Sequence, residues 1–174
     1  MRGVYAFCVA GLALVGPASA YPNGAPWGSA DPKAAQNCSS CHFDSDPRLQ
    51  SPVVRIVGDI PEAYSSGANY GFIVTVRAPE GAKVGFALKA LSTGDQAGNW
   101  SPEGQELESS GNEVRSVKPK YSTNDGFVFW GIRWTAPKAA DDPVTFYLAV
   151  NISNDDDSPF GDEIHYFTFS IPPQ

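Results

Sequence analysis

Methionine is almost missing from these 174 residues, with Met1 the only one. Histidine occurs twice, at His42 and His165, and cysteine three times, at Cys8, Cys38 and Cys41. No basic run or basic patch occurs, which removes the usual footprint of nucleic-acid binding. Beyond the first 20 residues no apolar run approaches membrane length, so no membrane span is expected in the mature chain. The nucleophile elbow Gly-x-Ser-x-Gly does not occur, and with His42 committed elsewhere only His165 is free to serve a Ser-His-Asp triad. Hydrolase chemistry is therefore not expected. Internal repeats are absent as well.

The start of the chain is an export signal. Arg2 supplies a short positive region, Val4 to Val15 an apolar run, and Ala18-Ser19-Ala20 a cleavage site. The expected compartment is periplasmic or extracellular. Cleavage after Ala20 removes Met1 and Cys8 and leaves 154 residues, enough for one domain with a real core. With Arg2 removed, 11 basic residues face 19 acidic ones, a net charge of −8. That charge serves solubility and can steer a positively charged partner.

What remains of the scarce residues is concentrated. Cys38-Ser39-Ser40-Cys41-His42 reads Cys-x-x-Cys-His, the attachment signature of c-type haem. Two thiols at this spacing reach the two vinyl groups on one porphyrin edge, and the imidazole that follows becomes the proximal iron ligand. Cys38, Cys41 and His42 are thus the expected site for one covalent haem c. Three other readings compete. A thioredoxin-like redox pair needs a βαβ setting, which is not found. Zinc held with His42 and His165 fits poorly, because adjacent Cys41 and His42 suit a tetrahedral site badly. A small disulfide would leave His42 unexplained.

Residues 21–52 read as an irregular haem-binding arm, punctuated by Pro22, Gly24, Pro26, Gly28 and Pro32. Ala30 to Gln36 is expected to form one short helix opened by Asp31 and Pro32. Trp27 and Phe43 are candidate haem contacts, with ordinary core as the alternative. From residue 53 to 174 the pattern changes to short alternating runs. These are Val53–Val57, Tyr70–Val76, Val84–Leu91, Glu113–Val117, Phe127–Trp134, Val144–Ile152 and Ile164–Ile171, with Ser92 to Gly111 read as a long polar loop. About seven period-2 runs without a helix predict an all-β, immunoglobulin-like antiparallel β-sandwich. No cysteine remains to link the sheets, so apolar burial must hold them.

Asn151, Asn154, Asp155, Asp156, Asp157, Asp162 and Glu163 crowd the last interstrand loop. Calcium favours such oxygen-rich clusters, but the EF-hand order is missing, so a polar hairpin loop is the first reading of 154–163. Three sequons, at Asn37, Asn99 and Asn151, are read as chance occurrences.

The order of Tyr70-Gly71-Phe72, Gly85-Phe86-Ala87-Leu88, Trp134-Thr135-Ala136-Pro137, Val144-Thr145-Phe146-Tyr147 and Gly161-Asp162-Glu163-Ile164 resembles the reelin-like (Reeler) β-sandwich modules of secreted proteins. Gly24-Ala25-Pro26 and Cys38 to His42 resemble the stretch that precedes the sandwich in bacterial versions. The resemblance implies an exported sandwich with a haem-type motif and no defined reaction. Tyr21-Pro22, at the expected mature start, is similar to cytochrome f, a sandwich that also carries Cys-x-x-Cys-His near its N-terminus. That likeness implies the α-amine of Tyr21 as a sixth iron ligand. His165 is the other candidate. In a seven-strand order of this kind the first and last strands start at one end of the sandwich, which brings His165 near the haem motif. The expected function is single-electron transfer by a monohaem cytochrome with redox partner proteins. The alternatives are a non-redox adhesion or assembly module, and a haem enzyme or sensor with an open iron site.

Overall fold

The computed structural model describes residues 24–93, 97–139, 141–156 and 158–174. The residues expected to form an export signal, and Tyr21, lie outside the described residues. Ten strands are present among them: β1 (Val54–Gly58), β2 (Asn69–Arg77), β3 (Lys83–Leu91), β4 (Asn99–Pro102), β5 (Leu107–Ser110), β6 (Glu113–Ser116), β7 (Lys120–Tyr121), β8 (Phe127–Thr135), β9 (Val144–Ser153) and β10 (Glu163–Ile171). One sheet runs β1-β2-β8-β4 and the other β10-β9-β3-β6-β5, with β7 pairing the start of β3. All these pairings are antiparallel. The order β1-β2-β8-β4 opposite β3-β9-β10 matches the two halves of an immunoglobulin-like sandwich.

Alternation builds the core. Phe72, Val74 and Val76 of β2, Val128, Trp130, Ile132 and Trp134 of β8, and Val144, Phe146, Leu148, Val150 and Ile152 of β9 point inward together. Aromatic rings fill the centre. Trp134 meets Phe146 edge-on at 4.9 Å and Tyr64 at 5.6 Å, and stacks near Phe72 at 6.2 Å. The polar tips of these rings are satisfied inside: Trp134 Nε1 donates to the Ala97 carbonyl at 3.0 Å and Tyr64 Oη to the Asp142 carbonyl at 2.7 Å. A buried indole keeps its packing without losing a hydrogen bond in this way.

Two local expectations are corrected. Ala30 to Gln36 forms turns rather than a helix, and among the described residues of the arm the only helical piece is a one-turn 3₁₀ helix, Cys38–Ser40. Asn37 caps that turn, its side chain accepting from Ser39 N while its own N–H donates to Ser40 Oγ. Asn37 Nδ2 also donates back to the carbonyls of Pro32 and Ala34, so the preceding residues are tied into a loop that competes with helix. The polar loop Ser92 to Gly111 contains β4 and β5. Both are four residues long, and only Trp100 and Leu107 are buried apolar residues within them, so periodicity carries almost no signal there.

The arm lies across the outer face of the larger sheet. Tyr166, Ala149, Ala87 and Arg115 stand in one row across β10, β9, β3 and β6, with Ile164, Asn151 and Gly85 in the next row. The small side chains of Ala87, Ala149 and Gly85 leave a shallow trough. Ala30 sinks into it and is fully buried with Ala87, Ala149, Ile164 and Tyr166, while Ala25 and Cys38 pack on the same group. At one end Gly24 presses flat on β6. Its φ is +101°, and a Cβ there would stand 2.7 Å from the Ser116 carbonyl oxygen, so glycine is required twice over. At the other end Arg48 and Ser51 pair with the edge of β10, Arg48 N donating to Ile164 O and Tyr166 N to Arg48 O, both at 2.9 Å. The bridge between Arg48 and His165 is parallel, and it covers an edge that would otherwise be open to another strand.

Candidate functional site

Cys38 and Cys41 are held by one turn. The Cys38 carbonyl accepts from both Cys41 N and His42 N, at 3.4 and 3.2 Å. The two thiols differ in surroundings. Cys38 Sγ donates to the Ser29 carbonyl at 3.5 Å, and burial pushes its pKa up to about 11. Cys41 is exposed. Tyr166, under the turn, reaches Ser39 Oγ at 3.5 Å, and burial raises its pKa as well.

His42 is positioned by the loop between β9 and β10. Its Nδ1 lies 2.8 Å from Oδ2 of Asp162, which is 2% exposed. The ring N–H is not aligned for a hydrogen bond, so the contact is electrostatic. Asn151 Nδ2 donates to the same carboxylate oxygen at 3.1 Å. The neighbouring backbone clamps the loop onto the motif. Ser45 Oγ donates to Asp162 O at 2.9 Å, and Gly161 N donates to Asp44 Oδ2 at 2.6 Å. Phe43 and Phe160 meet edge to face at 5.6 Å beside this clamp, and both are exposed. His42 Nε2 makes no hydrogen bond among the described residues and is the ring atom left for a ligand.

Phe43 is therefore at the site. Trp27 is engaged differently, with the Arg115 guanidinium 4.1 Å above its ring over β6. His165 does not join the others. Ile164 and Tyr166 face the arm, so His165 between them points to the opposite side of β10. It is 1% exposed, with Nδ1 2.7 Å from Ser51 Oγ and Nε2 3.2 Å from Glu163 Oε2. Both nitrogens have partners, and the strand would have to turn over to reach a group held at His42. In this arrangement His165 is a buried, hydrogen-bonded histidine on the face of β10 away from His42.

Burial, partly opposed by Glu163, holds the His165 pKa below its ordinary 6.5. The unfolded chain then binds the proton more readily than the folded one. This contribution to stability is full above about pH 6.5 and is lost as the pH falls below it. The urea midpoint should fall with acidification through that range, and less steeply in His165→Gln. Equal slopes in the two proteins would remove His165 as the cause.

The described acidic side chains of the loop are engaged with protein partners. Asp155 pairs with Lys83 and accepts from Tyr121 Oη, Asp156 accepts from Asn154 and from Ser158 N, and Asp162 faces His42. Among the described residues no three His, Cys, Asp or Glu side chains converge as a metal-binding group. Asp157 lies outside the described residues. The role of Asp162 was missed by sequence reasoning, and no local motif marks it out from its acidic neighbours.

The sandwich has counterparts among solved structures. The reeler domain of human F-spondin superposes with a TM-score of 0.55 at 19% identity, covering 74% of this chain and 94% of that one. The Reelin-N domain of F-spondin does so with a TM-score of 0.55 at 23% identity, covering 79% and 98%. The fold is reeler-like. No family model matches the sequence, and no curated protein matches it. Among the described residues no helix is long and apolar enough to cross a membrane.

Proposed function

We propose that this chain is an exported monohaem c-type cytochrome, a carrier of single electrons rather than an enzyme, acting in the periplasm or outside the cell. Haem c would be held by thioether links to Cys38 and Cys41, with His42 Nε2 on the iron. The observation that carries this reading is the pairing of His42 Nδ1 with buried Asp162 directly beside the two thiols. Histidines that ligate metals characteristically give their other ring nitrogen to a carboxylate or carbonyl, which sets the tautomer and aims the ligating nitrogen outward.

The donor set fits the group: two thiols on one turn, an imidazole with a free nitrogen, and exposed Phe43 and Phe160 beside it to cover an apolar edge. When bound, the haem supplies the one-electron chemistry. The chain supplies position, cover and charge. Cys38 packs between the arm and the sheet, and burial pushes its thiol pKa up to about 11, so attachment there requires the arm to lift from the sheet or to be linked first. Asp44 and Asp46 follow the motif and are exposed, which suits a redox partner with a basic docking face. His165, the Tyr21 amine and an open position are the candidates for the sixth ligand, and for His165 the strand face would have to turn toward His42.

Expression with c-type maturation, followed by a denaturing gel stained for haem, tests the reading. Covalent haem is expected, and its absence would overturn the proposal in favour of a non-redox sandwich module. Met1 is the only methionine, so the oxidised spectrum should lack a sulfur-to-iron charge-transfer band. Carbon monoxide binding by the ferrous protein would indicate the enzyme or sensor alternative.

A further inference from the structure

We infer that Asp162 is a positioning residue for the proximal imidazole, orienting the His42 ring and strengthening Nε2 as a donor to ferric iron. This rests on the reading of Cys38 to His42 as a haem site. A buried carboxylate is costly unless it is paired. Asp162 is nearly inaccessible, and its described side-chain neighbours are His42 Nδ1 at 2.8 Å and Asn151 Nδ2 at 3.1 Å. Its other oxygen, Oδ1, is buried without a hydrogen-bond partner among the described residues. No lysine or arginine forms an ion pair with it among the described residues, so the imidazole is the one basic group facing it.

The placement does not depend on one rotamer. Ser45 Oγ holds the Asp162 carbonyl and Asp44 holds the Gly161 N–H, which locks the loop to the residues just after His42. The carboxylate therefore follows the motif as a unit. The Asp162 carboxylate, 2.8 Å from Nδ1, sets negative charge against that edge of the ring and so raises electron density at Nε2, which favours the ferric over the ferrous state and lowers the midpoint potential. Asn151 competes for the same oxygen and moderates the effect. Asp162 and Asn151 thus act with opposite sign on one atom.

Redox titration of the holoprotein, with haem-stained gels run on the same samples, tests this. Asp162→Asn should keep covalent haem and shift the midpoint upward. Asn151→Ser, which removes the competing donor, should shift it downward. An Asp162→Asn protein that carries haem with an unchanged midpoint overturns the inference while leaving the haem site standing. Should Asp162→Asn fail to fold or load, Asn151→Ser decides alone: a downward shift supports the role, and no shift or an upward one overturns it. A wild-type protein without covalent haem fails at the gel, before the titration, and removes both readings.

Discussion

Replacing both motif cysteines, Cys38→Ala with Cys41→Ala, should abolish covalent haem in a protein that still folds. The sandwich does not depend on these thiols: Cys41 is exposed, and Cys38 only borders the small cluster of Ala30, Ala87, Ala149, Ile164 and Tyr166. The haem-stained band should disappear while the thermal transition stays within a few degrees, because losing one partly buried sulfur costs on the order of 1 kcal/mol. Single variants should retain one link and differ. Cys41→Ala removes the exposed attachment point and leaves only the thiol that packing covers. His42→Ala should keep the links and lose the imidazole, turning a low-spin ferric spectrum high-spin. A double variant stained as strongly as wild type would end the cytochrome reading.

Trp134→Ala should be the most damaging single change to the fold. The side chain has no exposed surface, stacks near Tyr70 and Phe72 and meets Tyr64 and Phe146 edge-on. Truncation opens a large cavity and leaves the buried Ala97 carbonyl without its donor. A loss of about 3–5 kcal/mol is expected, out of roughly 5–15 kcal/mol for a whole domain. The melting temperature followed by circular dichroism should drop by about 10 °C or more. Trp134→Phe should fall between the two, since it fills part of the space and still loses the Nε1–H. A melting temperature within two or three degrees of wild type for the alanine variant would mean that the centre of the sandwich is packed differently.

The same residues show what was readable in advance. Phe127 to Trp134 and Val144 to Ile152 alternate cleanly, so their inward faces followed from the period of a half-buried strand. The concentration of scarce Cys and His in five residues marked the candidate site just as directly. Cys38 to His42 and the start of the last strand do lie at one end of the sandwich, with His42 against Asp162 and a parallel bridge from Arg48 to His165. His165 itself sits on the face of β10 opposite Ile164 and Tyr166, since neighbouring residues of a strand point to opposite sides.

Sequence alone thus determined the all-β class and the inward faces of the long strands, and it singled out Cys38 to His42 as the candidate site. Those properties depend on local periodicity and on residue types that few other positions share. Tertiary structure alone decided that Gly85, Ala87 and Ala149 form a trough for the arm, that residues 160–163 clamp the motif, and that Asp162 rather than any other acid of the loop meets His42. Asp162 and His42 are 120 positions apart, and their meeting depends on the β9–β10 register and on where the arm crosses the sheet. No local pattern encodes such a register, because it is set by the packing of residues that come from four separate strands and the arm together.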